Sequence, residues 1–319
     1  MSRRSTWLIA ATVLVALGLI LFAGVMCASH WDFSKLSPAK YVTNTHPISE
    51  GFDSIQITAD TADILFVPSD DGICTVVCCE EENMPHAVSV ENAALVIGIV
   101  DNRAWYDHIG INFGTPEITV YLPEAQYGAL MIKESTGDVD IPKDFQFESI
   151  NISTSTGDVR CYADVSEAMA VHTGTGDIHA ENASAEFVDL SVSTGHVTAT
   201  AVSCDGTFSV RVSTGRAELS DVTCKQLYST GNTGDIHLYN VVAKESFSIE
   251  RSTGDVTFDS CDAEEISVRT DTGDVRGSLL SDKIFTVQSD TGHISVPRTT
   301  TGGMCEITTD TGDIKITVN

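Results

Sequence analysis

The residues best placed for chemistry in this chain form a single column. Asp138, Asp158, Asp177, His196, Arg216, Asp235, Asp255, Asp274, His293 and Asp313 each follow a glycine, at intervals of 19 or 20 residues. Carboxylates repeated in this way would stand about 5 Å apart if successive units stack as strands. Ca2+ is the cation that such oxygen ligands would hold. The Ca2+-binding nonapeptide repeat, however, has paired glycines and a second Asp position that this chain lacks. Asp beside a glycine also has a local task, because its side chain bonds turn amides. The column therefore reads as structural turn Asp, with Ca2+ not favoured and no metal or cofactor assigned. His196, Arg216 and His293 interrupt it and relieve repulsion.

Other chemistry finds little support. General acid/base work needs carboxylates in unlike environments, and here they recur in equivalent ones. The sequence has no Ser/His/Asp set, phosphate loop or zinc spacing, and its nine His are scattered. No catalytic residue is assigned, although enzymes on β-solenoids exist and a carbohydrate-active one is the least favoured alternative. Of nine cysteines, Cys161, Cys261 and Cys305 fall at apolar positions, where Cys acts as a small hydrophobe. Cys78-Cys79 reads as one residue inward and one outward. Cys204 and Cys224 each lie nine residues after a turn glycine, within disulfide reach if their coils are adjacent.

The elements that position these groups are set by the glycines themselves: Gly137, Gly157, Gly176, Gly195, Gly215, Gly234, Gly254, Gly273, Gly292 and Gly312. A fixed period of this size marks a repeat architecture. Thr precedes the glycine in all ten copies. Two residues after it stands an aliphatic residue, from Val139 to Ile314, and four after it mostly another apolar one. Seven and five before it lie pairs such as Leu130 and Ile132, with Ser229 the one break in the second position. A third inward point is expected at Ala183, Val202, Val222, Val241, Cys261 and Leu280. Alternation with β-branched enrichment means strands. The fold class is all-β: a single-stranded β-solenoid (β-helix) of 19–20-residue coils, stacked in chain order. The corners are expected to need φ > 0, and the Thr column to bond along the stack through its hydroxyls. Gly302 lies outside the period and should tolerate a side chain.

Ahead of the repeats, Arg3 and Arg4 precede an uncharged stretch from Trp7 to Ala28. It is long enough for a transmembrane helix. Its length favours an uncleaved anchor over a cleaved signal, and Met26-Cys27-Ala28 suits neither signal cleavage nor a lipobox. The arginines place the N-terminus in the cytoplasm and the rest outside. The expected organisation is a cytoplasmic tail 1–6, a transmembrane helix 7–28, a linker 29–48, irregular solenoid coils 49–129 and regular repeats 130–319. Apart from Arg3 and Arg4 the chain carries 16 basic residues against 45 acidic ones. That balance argues against nucleic acid or anionic lipid as partner.

A degenerate copy of the repeat, Ile55, Ile57, Thr61, Ala62, Asp63, Ile64 and Phe66, lies 75 residues before the first regular one. Thr75–Val77, Val88–Val90, Leu95–Ile99 and Ile118–Leu122 are expected to fill the interval with coils. The longest departure from the repeat, 101–115, gathers Arg103, Trp105, Tyr106 and Phe113. These residue types anchor binding surfaces, or else cover the open end of a solenoid.

The Thr-Gly-Asp-Val/Ile ladder, the first coil Ile55-Gln-Ile-Thr-Ala-Asp-Thr-Ala-Asp-Ile64, and Ile118-Thr-Val-Tyr-Leu-Pro123 followed by Leu130-Met-Ile132 together carry a resemblance. Over residues 50–319 the chain resembles the putative adhesin domain family of bacterial envelope proteins, which has no settled function. The resemblance implies an extracytoplasmic, often tethered solenoid in adhesion or envelope stress. Its partner would be a protein or glycan at the cell surface, or another membrane protein. The resemblance supplies no catalytic residues.

Overall fold

The computed structural model describes residues 3–28, 40–100 and 115–319. Helix α1, Arg3–Ala28, contains an 18-residue window of mean hydropathy 2.5. It is long and apolar enough to cross a membrane.

The remainder is strand. Two long, mainly parallel sheets, of 14 and 15 strands, face each other across a continuous core. In the regular coils the strand before the corner lies in one sheet and the strand after it in the other. Matching columns pair directly: Ile150 opposes Leu130 and Met169, and Val159 opposes Val139 and Ile178. Because side chains alternate, each coil sends two or three residues from each strand inward. Val139, Val159, Ile178, Val197, Ala217, Ile236, Val256, Val275 and Ile314 are fully buried. Burial of one such side chain contributes about 1.5–3 kcal/mol, so the column as a whole drives stacking.

The expected third inward point is occupied at Ala183, Val202, Val222, Val241 and Cys261, all buried. Each follows a second corner with positive φ, at Asn182, Ala201, Asp221, Asn240 and Ser260. Leu280 departs from the column: it is exposed, and Leu279 is buried opposite Cys261. The register shifts by one residue because Asp259 and Ser260 in the preceding strand oppose only Ser278 in this one.

Both ends differ from simple stacking in chain order. At the start, β2 (Ser54–Thr58) and β3 (Asp63–Pro68) form the degenerate coil. After it come β4 (Cys74–Glu81), β5 (His86–Glu91), β6 (Ala94–Ile99), β7 (Glu117–Leu122), β8 (Gln126–Thr136) and β9 (Val139–Ile141). The degenerate coil touches the first regular coil directly, Ile55 opposing Leu130 and Ile64 opposing Val139. The expected intervening coils instead lie on its outer side, where β6 and β7 pair with β2 and β3. β4 and β5 add antiparallel edges. Part of the expected linker is also strand. β1 (Tyr41–Ile48) pairs antiparallel with β4 along its whole length, because the outer edge of β4 offers free backbone groups.

At the far end the last coil slides inside the one before it. Gly303–Thr311 pairs with Glu265–Thr272 on one side and with Lys283–Thr291 on the other. Ile294, fully inward by sequence, is exposed because its coil is outermost. Cys161, Cys261 and Cys305 are fully buried, and Cys78 faces inward while Cys79 is half-buried.

Candidate functional site

At each Thr-Gly corner the backbone turns so tightly that the neighbouring coil leaves no room for a side chain. Gly254 has φ +148, and a Cβ there would lie 2.1 Å from the Gly234 carbonyl oxygen. The glycine N–H donates to the next coil's threonine carbonyl, as from Gly137 to Thr156 at 3.0 Å. The following amide points the opposite way, towards the preceding coil, and a carboxylate meets it. Asp138 N–H donates to Asp63 Oδ1 (2.9 Å), Asp158 N–H to Asp138 Oδ1 (2.8 Å), and Asp177 N–H to Asp158 Oδ1 (2.9 Å). His196 N–H donates to Asp177 Oδ1 (2.7 Å) and closes the run. A second run links Asp235 to Asp255 (2.9 Å), Asp255 to Asp274 (2.8 Å), Asp274 to Asp313 (2.7 Å) and Asp313 to His293 (2.8 Å). Between the runs, His196 and Arg216 carry no carboxylate for the next amide.

One oxygen of each of these carboxylates is thus committed to the backbone. The sequence placed the Asp side chain on its own turn; it serves the next coil instead. Arginines offset the crowding of charge: Arg160 lies 3.3 Å from Asp158 and 3.9 Å from Asp138, and Arg276 pairs with Asp255 and Asp274. Among the described residues no three carboxylates of the column converge as metal ligands do.

The threonine that bonds across coils is not the one before the glycine, whose side chain is exposed. It stands three residues before it. Thr173 Oγ1 donates to the Gly157 carbonyl (3.0 Å), Thr270 to Gly254 (3.3 Å) and Thr309 to Gly273 (3.1 Å). A buried hydroxyl at this position satisfies a carbonyl that the corner leaves open. The signal was present in the sequence as a recurrent polar residue among inward ones.

Two charged residues occupy this position. Glu134 is buried and accepts the Ala62 N–H at 3.2 Å. Burial, with Asp63 and Asp138 nearby, pushes its carboxyl up to about 8. Arg251 fills the space that Gly231 leaves in the neighbouring coil, and its Nη2 donates to Ser229 Oγ at 2.8 Å. That contact accounts for the break at Ser229. Burial lowers Arg251 to about 10, while Asp235 acts the other way.

Cys204 and Cys224 both face inward in adjacent coils and are free thiols in this structure. Burial pushes Cys224 up to about 12. Arg103, Trp105, Tyr106 and Phe113 lie outside the described residues, in the connection between β6 and β7. A cleft of about 690 Å3 opens between Ile48, Phe52, Ile73, Pro123 and Tyr127, with the Phe52 and Tyr127 rings stacked 6.0 Å apart.

These repeats place the chain among known proteins. The Toastrack DUF4097 family matches twice, over residues 52–208 and 205–319. The chain belongs to the Toastrack DUF4097 family. The two matches meet where the Asp column is interrupted, so each family unit carries one run of the ladder. No curated protein matches the sequence.

The fold is shared with a putative lipid binding protein of Parabacteroides distasonis. That match has 11% identity, covers 88% of this chain and 98% of that one, and has a TM-score of 0.51. A putative adhesin of Parabacteroides merdae is 12% identical over 87% of this chain and 96% of its own, with a TM-score of 0.46. A putative cell adhesion protein of Clostridium sporogenes is 10% identical over 88% of this chain and 100% of its own, with a TM-score of 0.28.

Proposed function

We propose that this Toastrack protein is a membrane-anchored, non-catalytic binding module of the adhesin type. Its solenoid stands outside the cell and its partner is a protein or glycan of the cell surface. One observation carries this reading: the recurrent acids are engaged by backbone amides, so the regular coils are scaffold. Contact then falls to what departs from the repeat. Arg103, Trp105, Tyr106 and Phe113 are the residues we assign to it, on the β6–β7 connection. The helix α1 supplies the anchor, with Arg3 and Arg4 on the cytoplasmic side. The acid-rich surface sets this partner apart from nucleic acid.

The experiment is the full chain in detergent, with Trp105→Ala and Tyr106→Ala together, assayed for binding to intact cell envelope. The expected result is an unchanged melting temperature and at least a ~10-fold loss of binding. A lower melting temperature with binding intact would assign the loop to covering the solenoid end.

A further inference from the structure

One cluster stands apart from the ladder. Cys78 and Glu80 project inward from the end of β4, and His86 opens β5 across the intervening turn. All three are buried, at 0%, 1% and 6% exposure. A thiol sulfur, a carboxylate oxygen and an imidazole nitrogen lie within 4.8 Å of one another. Among the described residues no other three such groups come so close. Glu80 Oε2 is 2.7 Å from His86 Nδ1 and accepts the His86 N–H at 2.6 Å, and Asn44 Nδ2 on β1 donates to Oε1 at 2.6 Å. The carboxylate is therefore oriented from two sides before any ligand arrives, as metal ligands usually are.

We propose that Cys78, Glu80 and His86 bind a divalent transition ion, with Zn2+ the best match to a sulfur, oxygen and nitrogen donor set. The charges suit burial: one thiolate and one carboxylate neutralise the ion, and the imidazole adds none. Binding releases the thiol proton to solvent. The proton that His86 Nδ1 shares with Glu80 moves to Nε2 through solvent exchange, so the imidazole stays neutral and Nδ1 and the carboxylate are both free to bind the metal. For tetrahedral bonds of about 2.0–2.2 Å, the Glu80–His86 pair must open by about 0.6 Å. Because the thiol proton is displaced on binding, affinity rises with pH. The ion would tie the end of β4 to β5 and so clamp the antiparallel edges that close this end of the solenoid.

The test uses the full chain in detergent, stripped with a chelator and titrated with Zn2+ alone, and separately with Co2+. One equivalent should bind, the melting temperature should rise, and Co2+ should give a thiolate-to-metal charge-transfer band in the near ultraviolet. Cys78→Ser should abolish that band and weaken Zn2+ binding at least ~100-fold, and Glu80→Gln should weaken it as well. Cys161→Ser, remote from the cluster, should leave both unchanged. If Cys78→Ser does not fold, the wild-type Co2+ spectrum decides. A wild-type chain without that band, or with the melting temperature unmoved by Zn2+, overturns the proposal and leaves a buried Glu80–His86 hydrogen-bonded pair.

Discussion

The two runs of the corner ladder use one device on two different threadings. In the first, the chain leaves Asp63, makes a long excursion outward, and returns 75 residues later to place Asp138 against it. In the second, Asp274 is met by Asp313, 39 residues on, and His293 from the skipped coil comes last. The irregularity sits at the beginning of one family unit and at the end of the other. Yet in both runs four carboxylates accept four amides, and a histidine terminates the series. The ladder therefore depends on which coil lies beneath, and not on which coil comes next in the chain. In both places a strand that would otherwise be an exposed edge is placed inside the stack.

The largest expected effect separates corner from edge. Gly254→Val should cost about 3 kcal/mol or more, because φ is +148 and the Gly234 carbonyl already fills the space. Gly98→Val in β6, where a Cβ meets nothing within 4 Å, should change stability by about 0.5 kcal/mol or less. Gly302 lies outside the period but belongs with the corners: φ is +106 and a Cβ would lie 1.7 Å from the Asp282 carbonyl oxygen. Thermal melting of the three variants checks the division, and a Gly98 shift as large as that of Gly254 breaks it.

A smaller effect sharpens the comparison of the runs. Asp255→Ala removes the acceptor of the Asp274 amide and should cost about 1–2 kcal/mol. His196→Asp should act oppositely, raising stability by up to ~1 kcal/mol, since it offers the Arg216 amide an acceptor and lengthens the first run by one bond. Denaturant unfolding measures both. Equal losses in the two variants would mean that the column contributes through something other than these bonds.

The smallest effect distinguishes the first regular corner from its neighbours. Glu134 stands where Thr154 and Thr173 stand in the next coils, and its carboxyl is raised to about 8. A raised carboxyl stabilises the fold fully below the unfolded value and loses that contribution as pH rises towards 8. Stability should therefore fall by about 1 kcal/mol between pH 6 and 7. Glu134→Gln should flatten that slope. An unchanged pH profile would show that Glu134 ionises without penalty.

The period, the inward columns, the glycine corners and the apolar leading helix were all legible in the sequence. Each depends on local chemistry: alternation selects a buried face, and a tight corner selects glycine. Ser229 stood out as a polar intrusion but could not be paired, because Arg251 lies in the next coil and outside the column being compared. The recurrent Asp was recognised as structural, but its acceptor role across coils requires knowing where the neighbouring amide points. The convergence of Cys78, Glu80 and His86 was invisible, since β4 and β5 lie in different sheets and have no repeat to betray them.

Tertiary structure alone decided the order of the stack at its two ends, the recruitment of Tyr41–Ile48 as a strand, and the burial of Leu279 in place of Leu280. The physical reason is that the repeats are nearly equivalent. Every coil presents the same inward residues and the same backbone edge, so alternation specifies which face is buried without specifying which neighbour covers it. That choice falls to the connections between coils and to the exposed edges they must cover, and these terms appear only when the whole chain is folded.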